Sequence, residues 1–254
     1  MISVCVATHN AEKYLQPQLN SILSQLSADD EVIVSDDGSI DNTLEMIKLI
    51  DDPRIKVVSF KQPRDYSKRR LSPFYYATAN FYNALKRAAG DVIFLSDQDD
   101  IWRKDKVEVV TSYLGEYDIV CTNYSIIDKN NSIVEQRYWD NHHFDKLSVL
   151  GYWKELPFRG CCLAFKREVL ENAFPFPKQL MLHDCWIGLN AVMCGYKYKF
   201  IDEPLLLYRR HSANVSSMES PNRVLFKLAY RLNLLSQYIC LRIRKTIKRA
   251  LKIK

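Results

Sequence analysis

The sequence lacks any pairing of its cysteines. There are seven, an odd number, with no CxxC and no zinc-like spacing, and Cys161 and Cys162 are adjacent. That argues against a disulfide framework or a zinc module and fits reduced thiols in a cytosol. No stretch reaches 18 uninterrupted apolar residues, so no transmembrane helix is expected. The opening MISVCVATHN has a short apolar run and no basic leader, which reads as a first strand rather than a signal peptide. Low-complexity segments and solenoid-like repeats are missing. Acids are missing from one region altogether: from Asn222 onward there are ten Lys/Arg and no Asp/Glu. The net charge of +6 is therefore misleading as an average, because residues 1–221 hold 26 basic against 30 acidic residues, a net of −4. The body is mildly acidic and a separate basic tail carries the excess. With the cations gathered in one tail, nucleic-acid binding is disfavoured.

The 254 residues suffice for one large domain or two small ones, and 47% apolar with 12% aromatic content supports a sizeable core. Strand and helix patterns alternate. ISVCVAT reads as a buried strand, and AEKYLQPQLNSILSQL as a helix with Pro17 in its first turns. EVIVSDD, RIKVVSF and DVIFLSD read as further strands. DNTLEMIKLI reads as a helix with Asp41 as its N-cap, and PFYYATANFYNALKRAAG as a helix stopped by Gly90. This order predicts an α/β fold with a doubly wound, mostly parallel sheet, and in such sheets ligands bind beyond the carboxyl ends of the strands. Thr8, His9 and Asn10 follow the first strand, Asp36 and Asp37 the second, and Asp97 and Asp99 the fourth. After about residue 110 the alternation blurs, with strand-like YDIVCTNYSII, CCLAFK and KYKFIDEPLLLYRRH among loops.

Each acidic motif has a plain structural use. SDDGS suits a turn and a helix cap, and SDQDD could be a solvated loop. Two carboxylates at i and i+2 after a strand can instead converge on a hard cation such as Mg²⁺ or Mn²⁺, since like charges that close repel without one. Asp184 in MLHDCWIGL could be an N-cap. His211, beside Arg209 and Arg210, could belong to a surface basic cluster. Gly160 in FRGCCLAF marks a strand where a backbone or ligand comes close.

Taken together, the motifs resemble glycosyltransferase family 2, inverting enzymes with a GT-A fold. The matching elements are VATHNAEKYLQPQLNSILSQ, IVSDDGSIDNT, GDVIFLSDQDDIW, RGCCLAFKREVL, LHDCWIGL and EPLLLYRRH, in the family's order over about residues 2–212. SDQDDIW, HDxW and YRRH look most like the bacterial rhamnosyltransferase-like branch. The resemblance implies that Thr8, Asn10 and Glu12 line the nucleotide pocket and that Asp36 and Asp37 read base and ribose. An aspartate can accept from a uracil or thymine imide N–H, which favours a pyrimidine. It implies that Asp97 and Asp99 hold Mn²⁺ or Mg²⁺ on the diphosphate, with Asp99 the direct ligand and His211 completing the contact, and that Asp184 is the general base. His9 departs from the family's usual aromatic residue. The QxxRW signature of the processive polymerases is missing, which points to single-sugar addition.

The expected reaction is metal-dependent, inverting transfer of one sugar from a nucleotide-diphosphate sugar, dTDP-rhamnose or a UDP-sugar, to a hydroxyl of a glycan or lipid-linked glycan in cell-surface polysaccharide synthesis. Two other classes use parts of the same pattern. A nucleotidyl- or phosphotransferase could use the metal acids, but ATHNAEKY offers no phosphate-cradling glycine. A non-catalytic carbohydrate-binding protein of this fold would need neither Asp184 nor those acids. The expected division is a GT-A domain over 1–221 and a basic amphipathic helical tail over 222–254. Leu225, Phe226, Leu228, Ala229, Leu232, Leu235, Ile239, Ile243, Ile247, Ala250 and Leu251 recur near helical spacing, with cations between them. Such a helix can lie in the headgroup region on the cytoplasmic face of the cell membrane. The alternative is a helix packed on the body or on a second subunit of a homodimer.

Overall fold

The computed structural model describes residues 1–69, 72–136, 144, 148–211, 214 and 224–252. Its N-terminal half is the alternating unit that the hydrophobic pattern predicts: β1 (Ile2–Thr8), α1 (Leu15–Leu23), β2 (Glu31–Asp36), α2 (Thr43–Ile50), β3 (Ile55–Ser59), α3 (Ser72–Leu85) and β4 (Val92–Ser96). β2 is buried at every position, which explains its near-continuous apolar run. These strands are parallel in the order β3-β2-β1-β4. The chain reverses direction across the sheet between β1 and β4, which opens a crevice at their carboxyl ends. Register aligns those ends: Thr8 pairs with Asp36, and Val6 with Ser96.

The second half comprises β5 (Ile101–Trp102), α4 (Lys106–Leu114), β6 (Ile119–Ile127), β7 (Ile133–Glu135), α5 (Val149–Glu155), a 3-10 turn at Gly160–Cys162, β8 (Leu163–Lys166), α6 (Arg167–Ala173), α7 (His183–Met193), β9 (Tyr198–Arg209) and α8 (Val224–Lys252). The three strand-like stretches beyond residue 110 are thus β6, β8 and β9. β8 lies antiparallel between β4 and β6, and β9 runs parallel to β6 and carries β5 on its outer edge. The sheet is α/β with helices on its faces, as expected. Its parallel character is confined to β3-β2-β1-β4 and to the β6–β9 pair, and β8 inverts direction where the two halves join.

α8 corrects one expectation about its cations. Leu234, Tyr238 and Leu241, at i, i+4 and i+7, are buried in the main core. The Arg231 carbonyl accepts from Trp153 Nε1 while Arg231 Nε donates to the Trp153 carbonyl, both at 3.1 Å. Lys245 Nζ donates to the carbonyls of Glu171 at 2.8 Å and Asn172 at 2.7 Å, and Arg242 donates to Asn172 Oδ1 at 3.2 Å. Arg231 and Lys245 satisfy backbone carbonyls at the ends of α5 and α6 and Arg242 a side-chain amide there, so these three side chains face the body rather than a lipid surface. A second apolar stripe, including Leu228, Leu232, Ile239, Ile243 and Ile247, is exposed. The expected domain boundary at 221/222, residues 222, 223, 253 and 254, and the side chains of Leu225, Phe226, Ala250 and Leu251 lie outside the described residues. Among the described residues no helix is long and apolar enough to cross a membrane.

Candidate active site

The turn after β2 is built on Asp36, whose 3% exposure marks it as internal. Its Oδ1 accepts from Thr8 Oγ1 at 3.0 Å and from Ser39 Oγ at 2.5 Å, and its Oδ2 accepts from the Ser39 N–H at 2.9 Å. Gly38 supplies the positive φ of +68° that this turn requires. Asn10, also at positive φ, accepts the Ile40 N–H on Oδ1 and donates its own N–H to Ser39 Oγ, each at 2.9 Å. Glu12 Oε2 accepts both the backbone and side-chain N–H groups of Asn42 at 3.1 Å. Asn42 is the cap residue of α2, while Asp41 Oδ1 accepts from the Thr43 N–H at 3.1 Å. Three of the expected nucleotide-pocket residues, Asn10, Glu12 and Asp36, thus make hydrogen bonds within this loop, Asp36 from the interior and Asn10 from the surface. Asp37 is the acid that reaches the cleft, where it accepts from Gln62 Nε2. Burial is the main cause that raises its carboxyl above the usual range.

At the end of β4 three carboxylates gather. Asp99 Oδ2 is 2.8 Å from His211 Nε2 and accepts from Asn214 Nδ2 at 3.3 Å. Asp100 is fully buried; Oδ1 accepts the Arg209 N–H at 3.0 Å, and Oδ2 finds no partner among the described residues. One oxygen each of Asp97 and Asp100 and the Cys161 sulfur all lie within 4.8 Å of one another. Desolvation, then the charges of Asp99 and Asp184, push the Asp97 carboxyl up to about 7. Burial and the neighbouring carboxylates raise Asp100 well above the ordinary range. Beneath them lies Lys106, buried, donating to the Cys161 carbonyl at 3.0 Å with its ammonium 4.5 Å from the Trp102 ring centre. The end of β9 is clamped over this group: Arg209 Nε donates to the Asp99 carbonyl at 2.8 Å, and His211 stacks on Tyr14 at 4.9 Å.

Asp184 occupies the first turn of α7, whose cap residue is Leu182, so it is not the N-cap. Its Oδ2 accepts the Gly160 N–H at 3.1 Å and its Oδ1 the Cys185 N–H at 2.7 Å. A Cβ on Gly160 would stand 3.1 Å from His183 Nε2, a tight contact that would push the 3-10 turn and the imidazole apart by a few tenths of an ångström. His183 is buried, stacked on Phe81 at 4.2 Å, with Nδ1 3.3 Å from Thr78 Oγ1, and burial lowers its pKa. Its Nε2 has no hydrogen-bond partner among the described residues.

A cleft of about 1100 Å³ joins these parts. Thr8, Asp37, Asp97, Asp99 and Asp184 line it, and His211 reaches it through Asp99. The sequence marks Asp100 as the third acid at this strand end without giving it a role, and it does not single out Lys106, Arg159, His183 or Tyr230 as site residues. For His183 a signal existed: it precedes Asp184 at a helix start, where its ring must enter the same interior.

The family model for glycosyl transferase family 2 matches residues 3–174. A dTDP-rhamnosyl transferase, RfbG of Shigella flexneri, is 27% identical over 223 residues, 82% of this chain and 72% of that protein. WfgD of Escherichia coli, a UDP-Glc:α-D-GlcNAc-diphosphoundecaprenol β-1,3-glucosyltransferase, is 30% identical over 210 residues, 77% of this chain and 74% of that protein. The chain spans 66% to 74% of the length of three of the curated relatives it matches. The crystal structure of Staphylococcus aureus TarS 1-349 in complex with UDP-GlcNAc superposes with a TM-score of 0.66 at 20% identity, covering 100% of this chain and 76% of that one. At that identity the likeness establishes the fold.

Proposed function

The chain belongs to glycosyl transferase family 2, and from that premise we propose that it transfers a single sugar from a nucleotide-diphosphate sugar to an acceptor hydroxyl, with inversion, in cell-surface polysaccharide synthesis. The observation that carries the reading is the placement of Asp37, the Asp97/Asp99 pair and Asp184 on one cleft at the carboxyl ends of β1, β2 and β4.

The donor set fits a divalent ion. Carboxylates and an imidazole are hard or borderline ligands; burial first and the neighbouring carboxylates second raise Asp97 and Asp100, and Asp100 Oδ2 has no partner among the described residues, a cost that a cation would relieve. Asp97, Asp99 and His211 are the residues that would hold Mn²⁺ or Mg²⁺, beside Asp100, whose carboxylate already lies within 4.8 Å of Asp97 and of the Cys161 sulfur. When bound, the metal supplies positive charge to the departing diphosphate. The protein does the rest. Asp37 meets the base, which favours a pyrimidine because a carboxylate accepts its imide N–H, and Asp36, Asn10 and Glu12 keep the loop in place. Asp184, aimed by the N–H groups of Gly160 and Cys185, takes the proton of the acceptor hydroxyl. Attack from that side displaces the nucleoside diphosphate and inverts the anomeric carbon without a covalent sugar–enzyme intermediate. Similarity to a dTDP-rhamnosyl transferase and to a UDP-Glc glucosyltransferase supports dTDP-rhamnose or a UDP-sugar as donor. The exposed stripe of α8 supports placement on the cytoplasmic face of a membrane that carries the acceptor.

A thermal-shift screen of nucleotide sugars with Mn²⁺ tests the donor, since the true donor stabilises the fold by mass action. Asp99→Ala is expected to abolish sugar transfer and to make nucleoside diphosphate binding insensitive to Mn²⁺. Near-parent activity of that variant in EDTA would exclude the metal role. Release of pyrophosphate instead of nucleoside diphosphate would favour a nucleotidyltransferase.

A further inference from the structure

α8 does more than cover the body, because its first turns form one wall of the same cleft. Lys227, Tyr230 and Arg231 line that cleft together with Arg159, Gly160 and Asp184. The wall is rigid. Arg231 Nε donates to the carbonyl of Trp153 at 3.1 Å, its terminal nitrogens donate to the carbonyls of Lys227 at 3.1 Å and Lys154 at 2.8 Å, and Trp153 Nε1 returns a bond to the Arg231 carbonyl. The Tyr230 ring lies 5.1 Å from the Arg231 guanidinium, and Asp184, Arg159 and Arg231 all act on its hydroxyl electrostatically. A smaller cavity of about 180 Å³ continues along the helix, sharing Met181, Leu182 and Tyr230 with the main cleft and adding Arg69.

Asp37, Asp97 and Asp99 line the cleft at the ends of β2 and β4, Arg64, Asp65 and Arg210 also line it, and around Asp184 the charged lining residues are Arg159, Lys227 and Arg231 with Glu155. Arg231 gives its donors to backbone carbonyls, so Arg159 and Lys227 are the cations an acceptor beside Asp184 would meet, and a neutral sugar hydroxyl does not need two of them there. An acceptor that carries phosphate does, since phosphate oxygens take charge-assisted bonds from guanidinium and ammonium groups. We propose that α8 is the acceptor wall of the site, and that Arg159 and Lys227 receive a phosphate group borne by the acceptor, with Tyr230 setting the acceptor sugar against Asp184. The proposal rests on Asp184 marking the point of transfer. It makes the site incomplete without residues beyond the family-matched segment, which ends at 174. It also lets the exposed apolar stripe that starts at Leu228 accept a lipid attached to that phosphate.

The test is calorimetric binding of dodecyl diphosphate to the full chain, saturated with Mn²⁺ and with the nucleoside diphosphate that stabilises it most. Inorganic pyrophosphate and a neutral dodecyl glycoside serve as the other arms. The expected result is that dodecyl diphosphate binds with the donor site filled, at least tenfold more weakly to Arg159→Gln/Lys227→Gln, and with affinity restored in Arg159→Lys/Lys227→Arg. Equal binding of pyrophosphate supports the phosphate site and assigns its affinity to free phosphate chemistry; tighter binding of the lipid form supports it and adds the α8 stripe. Undiminished binding by the glutamine variant, displacement of the lipid by nucleoside diphosphate, or equal binding of the neutral glycoside overturns the proposal. The same preparation is assayed for nucleoside diphosphate release from nucleotide sugars. Failure of the parent protein in that assay counts against sugar transfer itself and leaves the phosphate result to stand separately.

Discussion

Asp184 and Asp97 face one cleft, yet their environments predict opposite kinds of dependence. Asp184 takes one backbone N–H bond on each carboxylate oxygen, so Asp184→Asn keeps the shape and one of the two bonds but cannot accept a proton. Transfer is expected to fall roughly 10²-fold or more, the scale of lost general-base catalysis, with donor affinity within a few-fold of the parent. Parallel loss of both, read by donor titration against initial rates, would make Asp184 a structural residue. Gly160→Ala should act in the same direction and less strongly, because the added Cβ meets His183 Nε2 at 3.1 Å and pushes on the Asp184 turn. Asp97 predicts a pH effect. Its carboxyl is raised from 3.8 to about 7, chiefly by desolvation. The metal-free folded protein therefore holds a proton that the unfolded chain has released. This group's favourable contribution is complete below about pH 4 and is lost as pH rises through 7, at about 1.4 kcal/mol per unit within that window. Metal must displace the same proton, so Mn²⁺ affinity should rise between pH 6 and 8. In Asp97→Asn the denaturant-unfolding slope against pH should flatten; an unchanged slope would place the proton elsewhere, at Asp100.

The two faces of α8 make an element-scale prediction. Leu234 is 3% exposed and Ile239 is 48% exposed. Leu234→Ala should cost about 2–5 kcal/mol through the cavity it leaves, while Ile239→Ala should stay within about 0.5 kcal/mol; urea unfolding that ranks them the other way would reverse the assigned faces. Periodicity alone could find the apolar residues of this helix but not sort them into two stripes, because both recur at i and i+4. The same limit explains Lys106. In the run RKDKVE it reads as one more solvated charge, and only the return of the 3-10 turn at Gly160–Cys162 brings a carbonyl over it. β1 to β4 were legible because buried parallel strands are locally apolar and locally punctuated. β8 was visible as a strand, but its antiparallel insertion between β4 and β6 depends on pairing over long sequence distances, which no local pattern encodes. The site acids were legible as strand-end residues for the same local reason. The inward turn of Asp36, and the roles of Asn10 and Glu12 as loop ties, depend on Ser39 and Asn42 approaching from the next turn, a matter of geometry that residue type does not carry.

At the scale of the whole molecule, one side of α8 meets the body and the other presents apolar residues beside the mouth of the cleft. Arg231, Arg242 and Lys245 are engaged with the body, so they add less to attraction by anionic lipid than their number suggests. Arg244 is exposed among the described residues, and each basic side chain near such a surface contributes on the order of 1 kcal/mol. The larger share must then come from Leu228, Leu232, Ile239, Ile243 and Ile247, each about half exposed, whose exposed area insertion would remove from water at about 25 cal/mol per Å². This division sets a salt signature. If cations dominated, added salt would release the protein; with the apolar stripe dominant, salt weakens binding only in part. The full chain is expected to pellet with anionic vesicles, and Ile239→Glu/Ile243→Glu to remain in the supernatant with the parent's unfolding midpoint, since neither residue packs on the body. Equal pelleting of the two proteins would end the membrane assignment. If instead the parent elutes as a dimer without lipid and the double variant as a monomer, the stripe is the surface on which a second copy packs, and the acceptor reaches the cleft from solution.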